Sequence, residues 1–177
     1  MEKDSKLLKM SEISLWLDTY DDIFSDFDPR PYHQRALSID FLDEAKRASR
    51  DKEAGIELKL LIAKKKRNAT NEILIKKRLR EHFRKHHAYL HREKMGIIRK
   101  GIEYTVIGLL VMFLATLLTF EYEKTLLTAF LIVIMEPAGW FLFWEGMNQA
   151  VFESKRINPD LEFYEKMIKC RVEFVSY

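Results

Sequence analysis

Two neighbouring stretches almost free of charge limit what this chain can become. Residues 104–120 contain no charged side chain, and residues 125–144 contain one, Glu136. Only Glu121, Tyr122, Glu123 and Lys124 separate them. Twenty helical residues at ~1.5 Å rise span ~30 Å, the thickness of a bilayer core. The first stretch reaches that length when residues 101–103 join it, with Glu103 at the interface. The expected fold is therefore an α-helical membrane hairpin of two transmembrane helices over residues 101–146, antiparallel because the break is short. The competing fold is a helical hairpin buried in a soluble core, which two such closely spaced stretches disfavour. The first thirty residues are polar and acidic and do not read as a cleavable signal peptide.

Charge is strongly segregated along the 177 residues. Residues 1–58 carry 9 basic and 14 acidic side chains, residues 59–100 carry 15 and 3, and residues 101–177 carry 6 and 10. Lys94, Arg99 and Lys100 precede the first span, and Lys155 and Arg156 follow the second. Positive charge is retained on the cytoplasmic side, so both termini are expected there. Trp140 and Trp144 then fall toward the inner interface, where indoles are favoured. These five cations are expected to meet anionic lipid headgroups. Lys64, Lys65, Lys66, Arg67, Lys76, Lys77, Arg78 and Arg80 lack the interleaved aromatics of a base-stacking surface, so nucleic acid is not an expected partner.

Outside the spans, residues 13–17 and 56–62 alternate as strands do. Between them, from Pro31, Ala36, Leu37, Ile39, Leu42, Ala45 and Ala48 mark an amphipathic helix. Val172 and Phe174 alternate within residues 170–177, a further candidate strand. The reading is a small mixed α/β cytoplasmic module over residues 1–69, with residues 147–177 completing it. A basic juxtamembrane stalk helix is expected over residues 70–100, capped by Thr70 or Asn71. Ile75, Leu79, Phe83 and Leu90 form its stripe, and nothing but Gly96 interrupts its run into the first span.

Two clusters outside the spans could carry chemistry. Asp18, Asp21, Asp22, Asp26 and Asp28 offer hard oxygen ligands for a divalent cation, but without EF-hand spacing. The favoured reading is an ordered acidic loop, or one that pairs with the basic segment of the same or a neighbouring subunit. Ile23, Phe24 and Phe27 are expected to anchor it in a core. His82, His86, His87 and His91 form two i,i+4 pairs, a metal-binding spacing, but the pairs point about 140° apart on one helix. A solvated basic face near lipid and a pH response are the alternatives. The single cysteine, Cys170, allows neither an internal disulfide nor a cysteine zinc site. No phosphate loop or nucleophile–base set is present, and no enzyme is expected.

Glu136 and Pro137 stand mid-span. A carboxylate there costs ~2.5–3.5 kcal/mol when it faces lipid, and the proline frees the carbonyl of Val133. Around Glu136, Thr125, Ala129, Ile132, Gly139, Trp140 and Phe143 share a face whose small residues permit close approach. Gly101, Gly108 and Ala115 recur every seven residues, joined by Thr105 and Thr119, as a second seam. One seam is expected to close the hairpin and the other to join subunits. The expected function is a homo-oligomeric cation channel or cation-binding membrane protein, with Glu136 and Pro137 at its centre and Glu103 and Glu145 as a second level or paired with Arg99 and Lys100. A carboxylate serving only as packing glue is the plainer alternative. At the level of class, the alternative is a non-conducting membrane-anchored scaffold or sensor whose α/β module binds a partner.

Ile134, Met135, Glu136 and Pro137, followed by aromatics, resemble the pore signature of the mitochondrial calcium uniporter family. The resemblance implies that a ring of Glu136 carboxylates selects calcium. The chain departs from that signature at Val133, where the family has an aspartate, and in the depth of Glu136, which the family keeps near the outer mouth.

Overall fold

The computed structural model describes residues 12–50, 52, 56–121 and 125–177. The chain divides into two compact units, residues 1–88 with 160–177, and residues 89–159. The expected outer turn at residues 122–124 and Gly55 lie outside the described residues.

The first unit is built on a parallel sheet. Strand β1 spans Glu12–Trp16, helix α1 Ile39–Ser49 and strand β2 Glu57–Ile62. The long helix α2 covers Ala69–Glu121, and α3 covers Leu126–Val151. Helix α4 covers Asn158–Lys169 and strand β3 Arg171–Ser176. The strand order is β1-β2-β3, with both pairings parallel. Registers Ile13↔Leu58↔Val172 and Leu15↔Leu60↔Phe174 place the alternating apolar residues in rows across one face. Those rows share a core with Phe41 and Ala45 of α1, Ile75, Leu79 and Phe83 of α2, and Phe163 and Met167 of α4. The amphipathic helix starts at Ile39, later than the apolar pattern from Pro31 predicts. Residues 31–37 instead form a loop, in which the Ala36 amide donates to Asp28 (2.7 Å).

A polar cluster fixes the base of α2. The Asn68 side chain caps it, accepting from the amides of Thr70 (3.0 Å) and Asn71 (3.2 Å), so the cap precedes both predicted residues. Arg67 donates to buried Glu72 through Nε (2.8 Å) and Nη2 (2.9 Å), and to Ser176 Oγ (2.9 Å). The Tyr20 hydroxyl donates to Glu72 Oε1 (3.1 Å) and accepts from the Asn68 amide (2.8 Å). Helix base, acidic loop and final strand are thereby tied together.

The acidic run is an ordered turn. Tyr20–Ile23 form a 3₁₀ turn capped by Thr19, and the Asp22 carboxylate accepts from the Thr19 amide (3.1 Å). Ile23 and Phe24 are buried as expected, but Phe27 is 97% exposed. Aspartates that cap turns and pair locally hold this tip outside the core, whatever the hydrophobicity of the residue it carries.

The second unit contains the apolar hairpin. Both helices are long and apolar enough to cross a membrane. Of the most apolar 18-residue window in each, 17% and 6% is buried. Among the described residues, little of either window is enclosed.

Candidate functional site

The two apolar helices approach through glycine. A Cβ on Gly101 would lie 2.7 Å from both the Gly146 oxygen and the Ala150 nitrogen. On Gly108 it would lie 2.7 Å from the Gly139 oxygen and closer still to the Phe143 nitrogen. Gly146 in turn packs against Thr105 and Gly101, and Gly139 against Met112 and Gly108. The pairings run in opposite directions along the chain, so the helices are antiparallel. Seven-residue spacing keeps the small residues on one stripe of each helix and lets the backbones touch, as expected where dispersion and close packing drive association. The Thr105 and Thr119 hydroxyls return to the carbonyls four residues back, at 2.8 and 2.9 Å, and leave no polar group unmatched in the seam.

This arrangement revises the two-seam expectation. Gly139 does not line an outer face with Glu136. It meets Gly108 from the first seam and helps close the hairpin, while Ala129 and Trp140 of the expected second seam stay exposed. Gly146 is the partner that the sequence reading missed, although its seven-residue distance from Gly139 repeats the Gly101–Gly108 interval. Glu136 is then turned outward, on an exposed strip with Ala129, Val133, Pro137, Trp140 and Trp144. Among the described residues it has no hydrogen bond or ion pair. Helix α3 runs through Pro137 as one element. The Trp140 and Trp144 rings stack along the same strip at 6.3 Å.

The other candidate carboxylates have partners. Glu103 pairs with Arg99 (Nε–Oε1 2.9 Å), as one of the two expected arrangements requires. Glu145 accepts from Gln149 Nε2 (2.8 Å), and neither Arg99 nor Lys100 is its partner. Lys94 donates to Asn158 Oδ1 (2.7 Å) and Arg156 pairs with Glu153 (3.0 Å), whereas Lys100 and Lys155 are exposed.

The histidines are not brought to one point. His82 and His86 lie ring to ring at 4.1 Å, and His86 stacks on Tyr164 of α4 at 5.5 Å. His87 is half-buried and His91 exposed. His82 is buried with Nε2 unpartnered, and desolvation lowers its pKa to about 4. Desolvation also lowers that of His86. Lys85 and Arg78 add repulsion that disfavours any cation here. Among the described residues, no three of His, Cys, Asp and Glu gather as a metal-holding group. In the acidic loop, Asp21 pairs with Arg35 and Asp28 with Arg30 (2.7 Å), so those carboxylates are already engaged.

Compared with protein families, curated proteins and solved structures, the chain matches none.

Proposed function

We propose that this chain is an integral membrane protein whose hairpins assemble around Glu136 into a homo-oligomer, and that the resulting carboxylate ring binds and passes cations. The observation that carries this reading is the outward position of Glu136. Glycines use up the inner face of the hairpin, and the one ionisable group of the second span is left on the outside without a partner among the described residues. Facing lipid, that carboxylate would cost ~2.5–3.5 kcal/mol. A neighbouring copy or a water-filled axis removes the cost, and a ring of such groups concentrates cations.

The exposed apolar faces of both helices support insertion, because a bilayer covers what the chain itself leaves bare. Strands from before and after the hairpin share one sheet, so both ends of an inserted hairpin belong on one side. The basic block beside the spans supports the cytoplasm as that side, with Lys94, Arg99, Lys100, Lys155 and Arg156 facing the anionic headgroups in this reading.

The test is the oligomeric mass of the full chain in detergent, followed by cation flux into vesicles with Glu136→Gln as the control. A closed ring of at least four copies is expected, with the variant keeping its mass and losing flux. A monomer or dimer sinks the pore and moves the work to the α/β unit, as in a membrane-anchored scaffold or sensor.

A further inference from the structure

The first unit carries two exposed features of opposite character. One is the tip of the acidic loop. The Asp28 carboxylate accepts from the Arg30 amide (3.1 Å), from Arg30 Nε (2.8 Å) and Nη2 (2.7 Å), and from the Ala36 amide (2.7 Å). The Ser25 amide donates to the Ala36 oxygen (2.9 Å) and Arg35 Nε to the Ser25 oxygen (3.1 Å). This lattice presents Phe27, 97% exposed, on a preformed loop beside the exposed Asp26. A rigid aromatic knob in water is the form taken by an interface anchor, since little entropy is lost when it docks.

The other is a basic concavity of about 450 Å³ on α2, lined by Ile73, Lys76, Lys77, Arg80, Glu81 and Arg84. Its floor includes Ile73, which is 69% exposed. Lys77 reaches Glu81 at 4.0 Å, but among the described residues no carboxylate lies within ion-pair distance of Arg80 or Arg84. The cavity therefore offers an apolar seat with unneutralised guanidinium groups at its rim.

We propose that Phe27 of one copy seats on Ile73 of a neighbouring copy, with Asp26 meeting Arg80 and Arg84. Asp26, exposed beside the knob, is opposite in sign to the four cations of the concavity. The loop cannot serve its own copy. It packs on the flank of α2 that carries Asn71, Leu74 and Arg78, where Arg78 Nε donates to the Arg35 oxygen (2.9 Å). At 100° per residue, the centre of that flank lies about 120° around the helix from the centre of the concavity. Knob and seat are different surfaces, so a copy whose knob is seated still offers its own seat, and a head-to-tail contact whose rotation closes makes a ring. This inference rests on the assembly part of the function proposed above, and it names the contact outside the hairpin that sets the order of subunits.

The experiment uses full-length chains in detergent carrying Phe27→Cys or Ile73→Cys, each with a different tag, co-expressed and oxidised. The native Cys170 is buried. A cross-linked pair containing both tags is expected from the mixture, and none from either variant alone. Arg80→Glu with Arg84→Glu should lower the yield roughly tenfold, since like charges then face each other, and Asp26→Lys should restore it. No cross-link from the mixture, with the oligomeric mass unchanged, would overturn the docking and leave the assembly standing. A monomeric mass would overturn both. A cross-link within a single monomeric chain of the double variant would also overturn the proposal.

Discussion

Arg67 grips Glu72 with two nitrogens while Tyr20 donates to the same carboxylate, and the pairing with Arg67 lowers the pKa of Glu72 from its ordinary 4.5. A lowered folded value means the unfolded chain binds the proton first as pH falls. The stabilisation is therefore complete above about pH 4.5 and disappears as pH drops through the lowered value. Glu72→Gln should cost roughly 2 kcal/mol near neutrality, and thermal unfolding of the two proteins should converge in acid. His82 acts in the opposite sense to a stabilising pair. The unfolded ring protonates near 6.5 and the folded one only at about 4, so the native state loses stability as pH falls across that interval. His82→Leu should flatten this part of the stability profile, measured as Tm against pH. Arg78, Lys85, His86 and Tyr164 surround the ring and would remain. The joining of Tyr20 to Glu72 could not be read in the sequence, because the two are separated by 52 residues. Phe27 shows the converse problem. A phenylalanine among aspartates reads as an anchor by composition, and only the Asp28 hydrogen bonds reveal that the loop holds it out.

Element by element, the legible features were those with a period. Alternation located all three strands to within about a residue, and the absence of a breaker predicted that the stalk and first span are one helix, α2. Helix ends were less legible, since Asn68, Thr70 and Asn71 are all competent caps and only hydrogen-bond geometry selects among them. The first seam was visible as a seven-residue glycine repeat. Its partner was misassigned because the faces of the second span were drawn from Glu136 as origin, whereas the Gly139–Gly146 interval sets the contact stripe. The glycines make a sharp prediction. Gly108→Ala brings a methyl group against the Gly139 oxygen and the Phe143 backbone, neither of which can rotate away. It should destabilise the hairpin by about 1–3 kcal/mol in a denaturing-detergent titration. Gly96→Ala, with nothing within 4 Å, should instead stabilise α2 by roughly 0.5–1 kcal/mol.

For the whole molecule, the feature that matters is where the last strand comes from. β2 is the middle strand, and one of its two neighbours lies beyond the entire hairpin. Deleting residues 170–177 should abolish protease resistance in the first unit, because Leu58, Leu60 and Ile62 lose the Val172 and Phe174 wall and Arg67 loses Ser176. Limited proteolysis would show this as rapid cleavage within residues 12–88, with the hairpin fragment persisting. Such dependence was only partly legible: the C-terminal alternation marked a strand, but its parallel register with β2 is a long-range pairing that no local pattern encodes.

A split sheet also sets a schedule. A ribosome delivers β1, α1 and β2 early, but their third strand leaves the exit tunnel only after both apolar helices have been made. Until then β2 keeps an open edge, a state that chaperones hold and proteases attack. A hairpin that inserted only one of its helices would carry residues 171–176 to the far side of the bilayer, and the sheet would never close. With the membrane topology proposed above, completion of the α/β unit would be a proofreading step, because only chains that had returned to the side they started from could finish folding.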